Sequence, residues 1–194
     1  PRVGAPACAS CVAGKHQSQT NRTACEDCSV GNMCTLGSVL PTPCSPGTYA
    51  AGQGRCNCSS CEAGTFQTRP NATSCEACSI GSYCLQGSTS PVPCGPGLFN
   101  VTPGCTSADD CSPCPKGSWC SSGEALPCLN DFYNEFSQKS NQDACKRCPQ
   151  HSVTMSNGSI SRDLCMCIDG YYKIPQGLNI TTLQAPCQQC PIGA

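Results

Sequence analysis

The sequence predicts a small disulfide-rich fold, in which tandem cysteine-rich modules with short β-ribbons and loops form an elongated rod with little helix. Three observations lead to this prediction. The chain of 194 residues contains 24 cysteines, a density typical of disulfide scaffolds. Leu, Ile, Val and Phe together account for only 26 residues, too few for one large apolar core. The cysteines also recur in register, which predicts several small modules.

A repeat of fifty residues organises the first half of the chain. The cysteines of residues 8–44 recur with the same spacing in residues 58–94, and the segments 11–49 and 61–99 share their Gly and Pro positions. A third, shortened copy begins at residue 111. The pattern predicts four domains: repeat 1 at 1–57, repeat 2 at 58–110, a shortened repeat 3 at 111–147, and a cysteine-rich segment at 148–194 that continues into a further repeat.

Regular secondary structure is expected to be short. The chain has 19 Gly and 17 Pro, which interrupt nearly every ten-residue window, so no segment keeps a helical period. Two-stranded ribbons are the remaining regular element. The segments GTYA, GTFQT and GYYKI have the aromatic and β-branched composition of strands.

Two recurring phrases predict how each module fills its small interior. In Cys-x-x-Gly-x-aromatic, as at 61–66, a glycine that tolerates positive φ turns the chain, and the ring is expected to pack on a disulfide. In Cys-x-x-Gly-x-large-Cys, the large residue is Met33, Tyr83 or Trp119. We expect these side chains to anchor small cores, with contact to a ligand as the alternative role.

Closure of short loops predicts how many of the cysteines pair. A disulfide that closes a loop of about fifteen residues stabilises a protein by roughly 3 kcal/mol in the chain-entropy model. Several such bonds can therefore replace a missing apolar core. The predicted self-closing pairs are Cys11–Cys25, Cys61–Cys75, Cys128–Cys145, Cys148–Cys165 and Cys167–Cys187.

Other cysteines are harder to pair from sequence. We assign Cys44 to Cys56 and Cys94 to Cys105 on weaker grounds, and Cys94 could instead close on Cys111. Spacing alone leaves the connectivity of a further set open; this set is Cys28, Cys34, Cys78, Cys84 and their neighbours.

The cysteine density also predicts the compartment. Dense disulfides persist where the surroundings are oxidising, so we expect a secreted or cell-surface location. N-linked glycans are the expected additions, and the sequons are Asn21, Asn57, Asn71, Asn100, Asn157 and Asn179. Asn57 is the weakest acceptor of the six, because early disulfide formation by Cys56 or Cys58 on either side could block it.

Zinc is the main alternative use of the cysteines. Cys8, Cys11, Cys25 and Cys28 have the spacing of a four-cysteine zinc ribbon, which residues 58–78 repeat. Both sets carry a sequon in their longest loop. Because a glycosylated loop belongs to the secretory route, where thiols oxidise, we predict disulfides and no metal.

Composition and spacing argue against several other classes of protein. A net charge of −1 with 12% charged residues gives no basic surface for nucleic acid or lipid. No apolar run approaches the ~20 residues of a membrane span. His16 and His151 have no catalytic partner at a suitable spacing, and Asp109–Asp110 lacks the further oxygen ligands that calcium requires. We therefore expect neither an enzyme nor a bound cofactor.

Residues 145–174, CKRCPQHSVTMSNGSISRDLCMCIDGYYKI, resemble the cysteine-rich, EGF-like region of ephrin receptors. The Cys-x-x-Cys-Pro start, the Ser-Val stretch and the Cys-x-Cys-x-x-Gly-Tyr-Tyr close carry the resemblance. Similar small loops occur in tumour-necrosis-factor-receptor modules, and tandem repeats of this kind occur in large surface proteins of protists and algae, including those of flagellar hairs (mastigonemes). The resemblance is sharpest in residues 145–174 but covers nearly the whole chain, in repeats of varying fidelity, and it implies the fold, the disulfides and an extracellular setting. It does not imply ephrin binding, since the sequence contains neither the ligand-binding jelly roll nor a kinase motif.

Two functions fit these features. The first is a structural glycoprotein segment, a rod in an extracellular fibre, coat or appendage, whose partners are copies of itself or other extracellular structural proteins. The second is a ligand-binding or adhesion module of a cell-surface receptor, which requires a glycan-free patch rich in Tyr, Trp or Arg. We favour the first because charge is sparse and sequons are many. The start at Pro1, without a signal peptide, and the final CPIGA indicate a piece of a longer protein.

Overall fold

The computed structural model describes residues 9–173 and 187–191. Within these ranges, twenty short β-strands pair in sequence order as ten two-stranded ribbons. The predicted class, small disulfide-rich modules built of short β-ribbons with little helix, is confirmed. No helix among the described residues is long and apolar enough to cross a membrane.

The ribbons are numbered 1 to 10 along the chain, and most strands contain only two residues. The strand pairs are β1 Lys15–His16 with β2 Glu26–Asp27, β3 Asn32–Met33 with β4 Thr42–Pro43, β5 Thr48–Tyr49 with β6 Ser59–Ser60, β7 Thr65–Phe66 with β8 Glu76–Ala77, β9 Ser82–Tyr83 with β10 Val92–Pro93, β11 Leu98–Phe99 with β12 Ser112–Pro113, β13 Ser118–Ser121 with β14 Glu124–Pro127, β15 Phe132–Tyr133 with β16 Lys146–Arg147, β17 Ser152–Thr154 with β18 Cys165–Cys167, and β19 Tyr171–Lys173 with β20 Cys187–Gln189.

Every ribbon begins with the same four-residue turn, which we call the opening turn. It has the pattern Cys-x-x-Gly and leads directly into the first strand of the ribbon. Its fourth residue has a positive φ, as at Gly14 (+90°). In ribbons 8 and 9 this residue is Asp131 (+72°) and His151 (+62°), two of the residue types that adopt this conformation most readily after glycine. Ribbons 1 and 4 open at Cys11 and Cys61, so three ribbons make one fifty-residue sequence repeat.

The ten disulfides among the described residues are of two kinds. Seven join the start of a ribbon to the residue at or just before its second strand, with separations of 14 to 20 residues: Cys11–Cys25, Cys44–Cys58, Cys61–Cys75, Cys94–Cys111, Cys128–Cys145, Cys148–Cys165 and Cys167–Cys187. Three join residues six apart and tie the start of the opening turn to a cysteine within the first strand or directly after it: Cys28–Cys34, Cys78–Cys84 and Cys114–Cys120.

Loop length changes in a step of three residues. The disulfide spans 14 residues in ribbons 1, 3 and 4, and 17 residues in ribbons 6, 8 and 9. Each of the longer loops contains one three-residue turn of 3-10 helix before its second strand; these turns are Ala108–Asp110, Gln142–Ala144 and Arg162–Leu164. The extra residues are therefore taken up inside the loop, and the two strands still pair.

Main-chain hydrogen bonds connect neighbouring ribbons. The Gly14 N–H of ribbon 1 donates to the Cys34 carbonyl of ribbon 2 (2.8 Å), and the Gly37 N–H of ribbon 2 donates to the Cys11 carbonyl (2.8 Å). These bonds use only backbone groups, so they do not depend on the side chains of a ribbon. The same bonds recur as Gly64 to Cys84, Gly87 to Cys61, Gly117 to Asn134 and Gln138 to Cys114.

The glycines of the opening turns also lie against the loop two ribbons further along. A Cβ on Gly47 would overlap the carbonyl oxygen of Gly87, and a Cβ on Gly64 would overlap that of Gly104. Both turn glycines have positive φ. Glycine is therefore required at these positions by the backbone conformation and by the lack of space.

The interior of the protein consists mainly of disulfides. Among the described residues, Ala50 and Tyr133 are the only buried apolar residues that are not cysteines. The predicted ring anchors are less covered: Phe66 and Trp119 are half-buried, and Tyr172 is 43% exposed. These rings are therefore only partly covered, and among the described residues the buried ring is that of Tyr133, which clusters with the bonded Cys148 and Cys165.

The chain divides into two compact units. The first comprises Pro1–Ser79, Tyr83–Val92 and Thr102–Ser107, and the second comprises Ile80–Ser82, Pro93–Val101 and Ala108–Ala194. The strands of ribbons 1 to 4 belong to the first unit, and those of ribbons 6 to 10 belong to the second.

Candidate functional site: sequons, cystines and an apolar groove

The structure places the predicted glycosylation sites in different surroundings. Asn21, Asn57, Asn71 and Asn157 are exposed, so each side chain is open to solvent where a glycan would be attached. Asn179 lies outside the described residues. Four of the predicted acceptors are therefore accessible from solvent, whereas Asn100 is buried.

Asn21 and Asn71 hold the same position in ribbons 1 and 4. Each lies in the loop with positive φ, +61° and +58° respectively, a conformation that asparagine tolerates. The Asn71 N–H donates to the Cys44 carbonyl (2.8 Å), and a Cβ on Gly31 would contact Asn71. The backbone of this sequon is therefore fixed by the preceding ribbons while its side chain stays exposed.

Asn100 is a buried structural residue, although it belongs to a sequon. It is only 7% exposed. Its Oδ1 accepts a hydrogen bond from the Gly81 N–H (2.9 Å), and its Nδ2 donates to the Ser82 carbonyl (3.0 Å) and lies 3.7 Å from the Cys94 Sγ. A glycan on Nδ2 would remove a donor hydrogen and would need space that the fold does not leave. The burial and hydrogen bonds of the Asn100 side chain therefore argue against a glycan at this sequon.

Asn134 plays the same part in ribbon 8, and the sequence analysis did not identify it. It is 1% exposed, and its Nδ2 donates to the Ser118 carbonyl (2.8 Å). Its main-chain carbonyl accepts from the Gly117 N–H of the preceding opening turn (2.8 Å). Asn100 and Asn134 both follow an aromatic residue that ends a first strand, and this shared position is the signal that could have found them.

The five self-closing disulfides predicted from loop length are present in the structure. Two weaker assignments are corrected. Cys44 is bonded to Cys58 and not to Cys56, and Cys94 is bonded to Cys111 and not to Cys105. The reason is that a closing cysteine lies directly before the second strand of its ribbon, where the two strands converge. Cys58 and Cys111 meet this condition, whereas Cys56 and Cys105 lie within loops.

The described cysteines with zinc-like spacing all form disulfides, and Cys8 lies outside the described residues. Cys58, Cys61 and Cys78 belong to three different disulfides, so they do not converge on one point. In the part of the chain that the structure describes, no group of three or more His, Cys, Asp or Glu side chains is arranged to hold a metal ion. The many disulfides are those of an oxidising, extracellular environment.

Three cysteines of the described residues have no disulfide partner there. Cys56 and Cys190 are exposed. Cys105 is buried, and its Sγ lies 3.3 Å from the Thr102 carbonyl oxygen. Reagents that attack thiols therefore have access to Cys56 but not to Cys105.

The two histidines and the acidic pair lie in separate settings. His16 is in β1, opposite Glu26 of β2. His151 is exposed, stacks on the Tyr171 ring with centroids 4.1 Å apart, and borders a polar concavity of about 520 Å³. Asp109–Asp110 lies in an exposed turn of 3-10 helix.

An apolar groove of about 300 Å³ lies beside ribbon 7 and the start of ribbon 8, and we call it the Trp119 groove. Trp119 of β13 and Leu126 of β14 face each other across the ribbon. Leu129 and Phe132 of ribbon 8 line the same groove, beside the Cys128–Cys145 disulfide. None of the described residues that line it is charged. Trp119, expected to anchor a small core, thus lines an open apolar surface.

Comparison with models of known protein families and a search of curated proteins found no match to this chain.

Proposed function

We propose that this chain is a structural segment of an extracellular glycoprotein, a modular disulfide-stapled rod in a fibre, coat or appendage. The observation that carries the proposal is the repeated pair of main-chain hydrogen bonds between neighbouring ribbons, seen at Gly14 and again at Gly64 and Gly117. Because these bonds join backbone to backbone, each ribbon can be followed by another without a new side-chain interface. Such an arrangement suits a spacer whose length is set by the number of ribbons.

The exposed sequons support the glycoprotein part of the proposal. Asn21 and Asn71 are fifty residues apart and have the same backbone conformation. Glycans at both would repeat at one position of each fifty-residue copy. We propose a secreted or cell-surface location and no catalytic role. We also propose that the resemblance to ephrin-receptor-like repeats covers nearly the whole chain and is sharpest in residues 145–174, which contain ribbon 9 and the first strand of ribbon 10.

A ligand-binding or adhesion module is the second candidate, and the Trp119 groove favours it. Trp residues in apolar depressions often carry much of the binding energy at protein interfaces. In this alternative the other ribbons position the groove, and a partner of the receptor occupies it. The two candidates differ in whether the native protein forms regular assemblies.

Electron microscopy of the native glycoprotein, recovered without reductant, tests the proposal. We expect filaments or regular arrays that an antibody against this chain marks along their length. A sample with reduced and alkylated disulfides is the control, and it should lose these assemblies. Dispersed single particles carrying the antibody would contradict the structural role and favour the binding module.

A further inference from the structure

The loop of ribbon 2, residues 35–41, carries two leucines that have no role in its fold, and we call it the leucine loop. Leu36 is 74% exposed and Leu40 is 65% exposed. The loop is held instead by its backbone, since the Gly37 N–H donates to the Cys11 carbonyl (2.8 Å). Neither leucine side chain takes part in that bond.

Ribbon 5 shows that the same loop forms without the leucines. Its loop has the same length, and the Gly87 N–H makes the same 2.8 Å bond to the ribbon before it. The residues at the positions of Leu36 and Leu40 are Gln86 and Ser90, and both are exposed. Since polar residues fill these positions in one loop, the fold does not require the two leucines in the other, and contact with a partner would remove their apolar surface from water.

Two apolar residues of the Trp119 groove can likewise be compared with the residues at the same positions of another ribbon. Leu129 and Phe132 hold the positions that Ser45 and Thr48 hold in ribbon 3, directly after the opening cysteine and at the start of the first strand. Polar residues are therefore compatible with this backbone. The two apolar residues that ribbon 8 contributes to the groove, like the two leucines of the leucine loop, are therefore not required by the fold of a ribbon, whereas Trp119 holds a position that is large in each copy, as at Met33 and Tyr83.

Neither the leucine loop nor the Trp119 groove carries a charged side chain among its described residues. Residues 28–54, which include the leucine loop, contain no charged side chain, and none lines the Trp119 groove among its described residues. The centres of protein interfaces are depleted of charge and enriched in aromatic residues. Contact between the two surfaces would therefore remove no charge from water.

We propose that the leucine loop of one copy of this chain docks into the Trp119 groove of a second copy. The inference rests on the structural role proposed above and specifies its partner. A contact between two different surfaces leaves one of each free at the ends of the pair, so association continues head-to-tail, into a ring where the rotation between copies closes and into an open filament where it does not. A second copy supplies both surfaces from one sequence, and neither surface carries a charged side chain among its described residues.

Two double variants test the contact on the full chain with its disulfides intact. The loop variant carries Leu36→Gln and Leu40→Ser, and the groove variant carries Leu129→Ser and Phe132→Thr. Each new residue comes from the equivalent position of another ribbon, so both variants are expected to fold, which disulfide mapping checks. Sedimentation velocity over a range of concentrations should show self-association of the unmodified chain. Each variant alone should associate at least about 30-fold more weakly, the effect of losing a binding hot spot.

A matched control is Leu85→Thr in the loop of ribbon 5. Leu85 is 57% exposed and corresponds to Thr35 of the leucine loop, so the change removes an exposed leucine elsewhere. It should leave association unchanged. An equal loss in this control would attribute the effect to general surface hydrophobicity and overturn the proposal.

A mixture of the two variants gives the sharpest test. The loop variant keeps the groove and the groove variant keeps the loop, so an equimolar mixture should form a one-to-one complex that does not grow further. A mixture that remains monomeric, or variants that still associate alone, would overturn the inference. A monomeric unmodified chain would also overturn it, while filaments seen by electron microscopy in the native material would leave the structural function standing with a different contact.

Discussion

Replacement of Gly64 by alanine should disrupt packing between ribbons far more than the same change at Gly87. Both glycines lie in the first compact unit, with φ of +86° and +75°. A Cβ on Gly64 would overlap the Gly104 carbonyl oxygen, whereas a Cβ on Gly87 would meet nothing within 4 Å. The pair therefore separates the cost of the backbone conformation from the cost of the contact.

The magnitude follows from these contacts. Alanine at positive φ costs about 1–2 kcal/mol, and both variants share this cost. In Gly64→Ala the Gly104 backbone must also move, which weakens the Gly64 N–H bond to Cys84 and the Gly104 N–H bond to Cys78, both 2.8 Å. Each lost bond costs about 1 kcal/mol. We expect a loss of about 3–4 kcal/mol in Gly64→Ala against about 1–2 kcal/mol in Gly87→Ala.

Amide hydrogen exchange followed by NMR, with all disulfides intact, measures this difference locally. Opening free energies at the Gly64 and Gly104 amides should fall by the larger amount in Gly64→Ala and by the smaller amount in Gly87→Ala. Equal losses in the two variants would refute the reasoning, because they would show that the close contact between ribbons carries no stability of its own.

Two further predictions concern modification of single residues. Glycopeptide mass spectrometry of the secreted protein should find a glycan at the exposed Asn71 and none at Asn100, which is 7% exposed and hydrogen-bonded through its amide; occupancy at Asn100 would contradict the buried position. Under native conditions iodoacetamide should label Cys56 rapidly and Cys105 only after denaturation, since one thiol is exposed and the other buried. Equal labelling rates would contradict this difference.

The sequence predicted the fold class and the fifty-residue repeat, but not the shorter ribbon repeat within it. The disulfides of ribbons 1 to 3 are long, short and long, and those of ribbons 4 to 6 repeat this order, so cysteine spacing returns to register only after three ribbons. The common element is the opening turn, and its glycine is replaced by Asp131 and His151 in two ribbons. Only the positive φ at these two positions reveals that they belong to the same series.

The partners of Cys44 and Asn100 show why local patterns were not sufficient. Cys44 closes on Cys58 because the second strand begins at the next residue, and strand positions were not known from sequence. The sequon at Asn100 is a local signal, whereas its burial arises from Gly81 and Ser82 of another ribbon. The Trp119 groove similarly depends on two ribbons that only the fold brings together.

The three-residue turns of 3-10 helix indicate where foreign sequence can be grafted onto this scaffold. Lengthening a closed loop from 14 to 17 residues costs only about 0.2 kcal/mol of closure entropy. The disulfide and the paired strands fix both ends, so added residues do not shift the ribbons that follow. Ala108–Asp110, which has no buried residue, is an insertion point where a peptide epitope or affinity tag could be displayed while the cystine scaffold is kept.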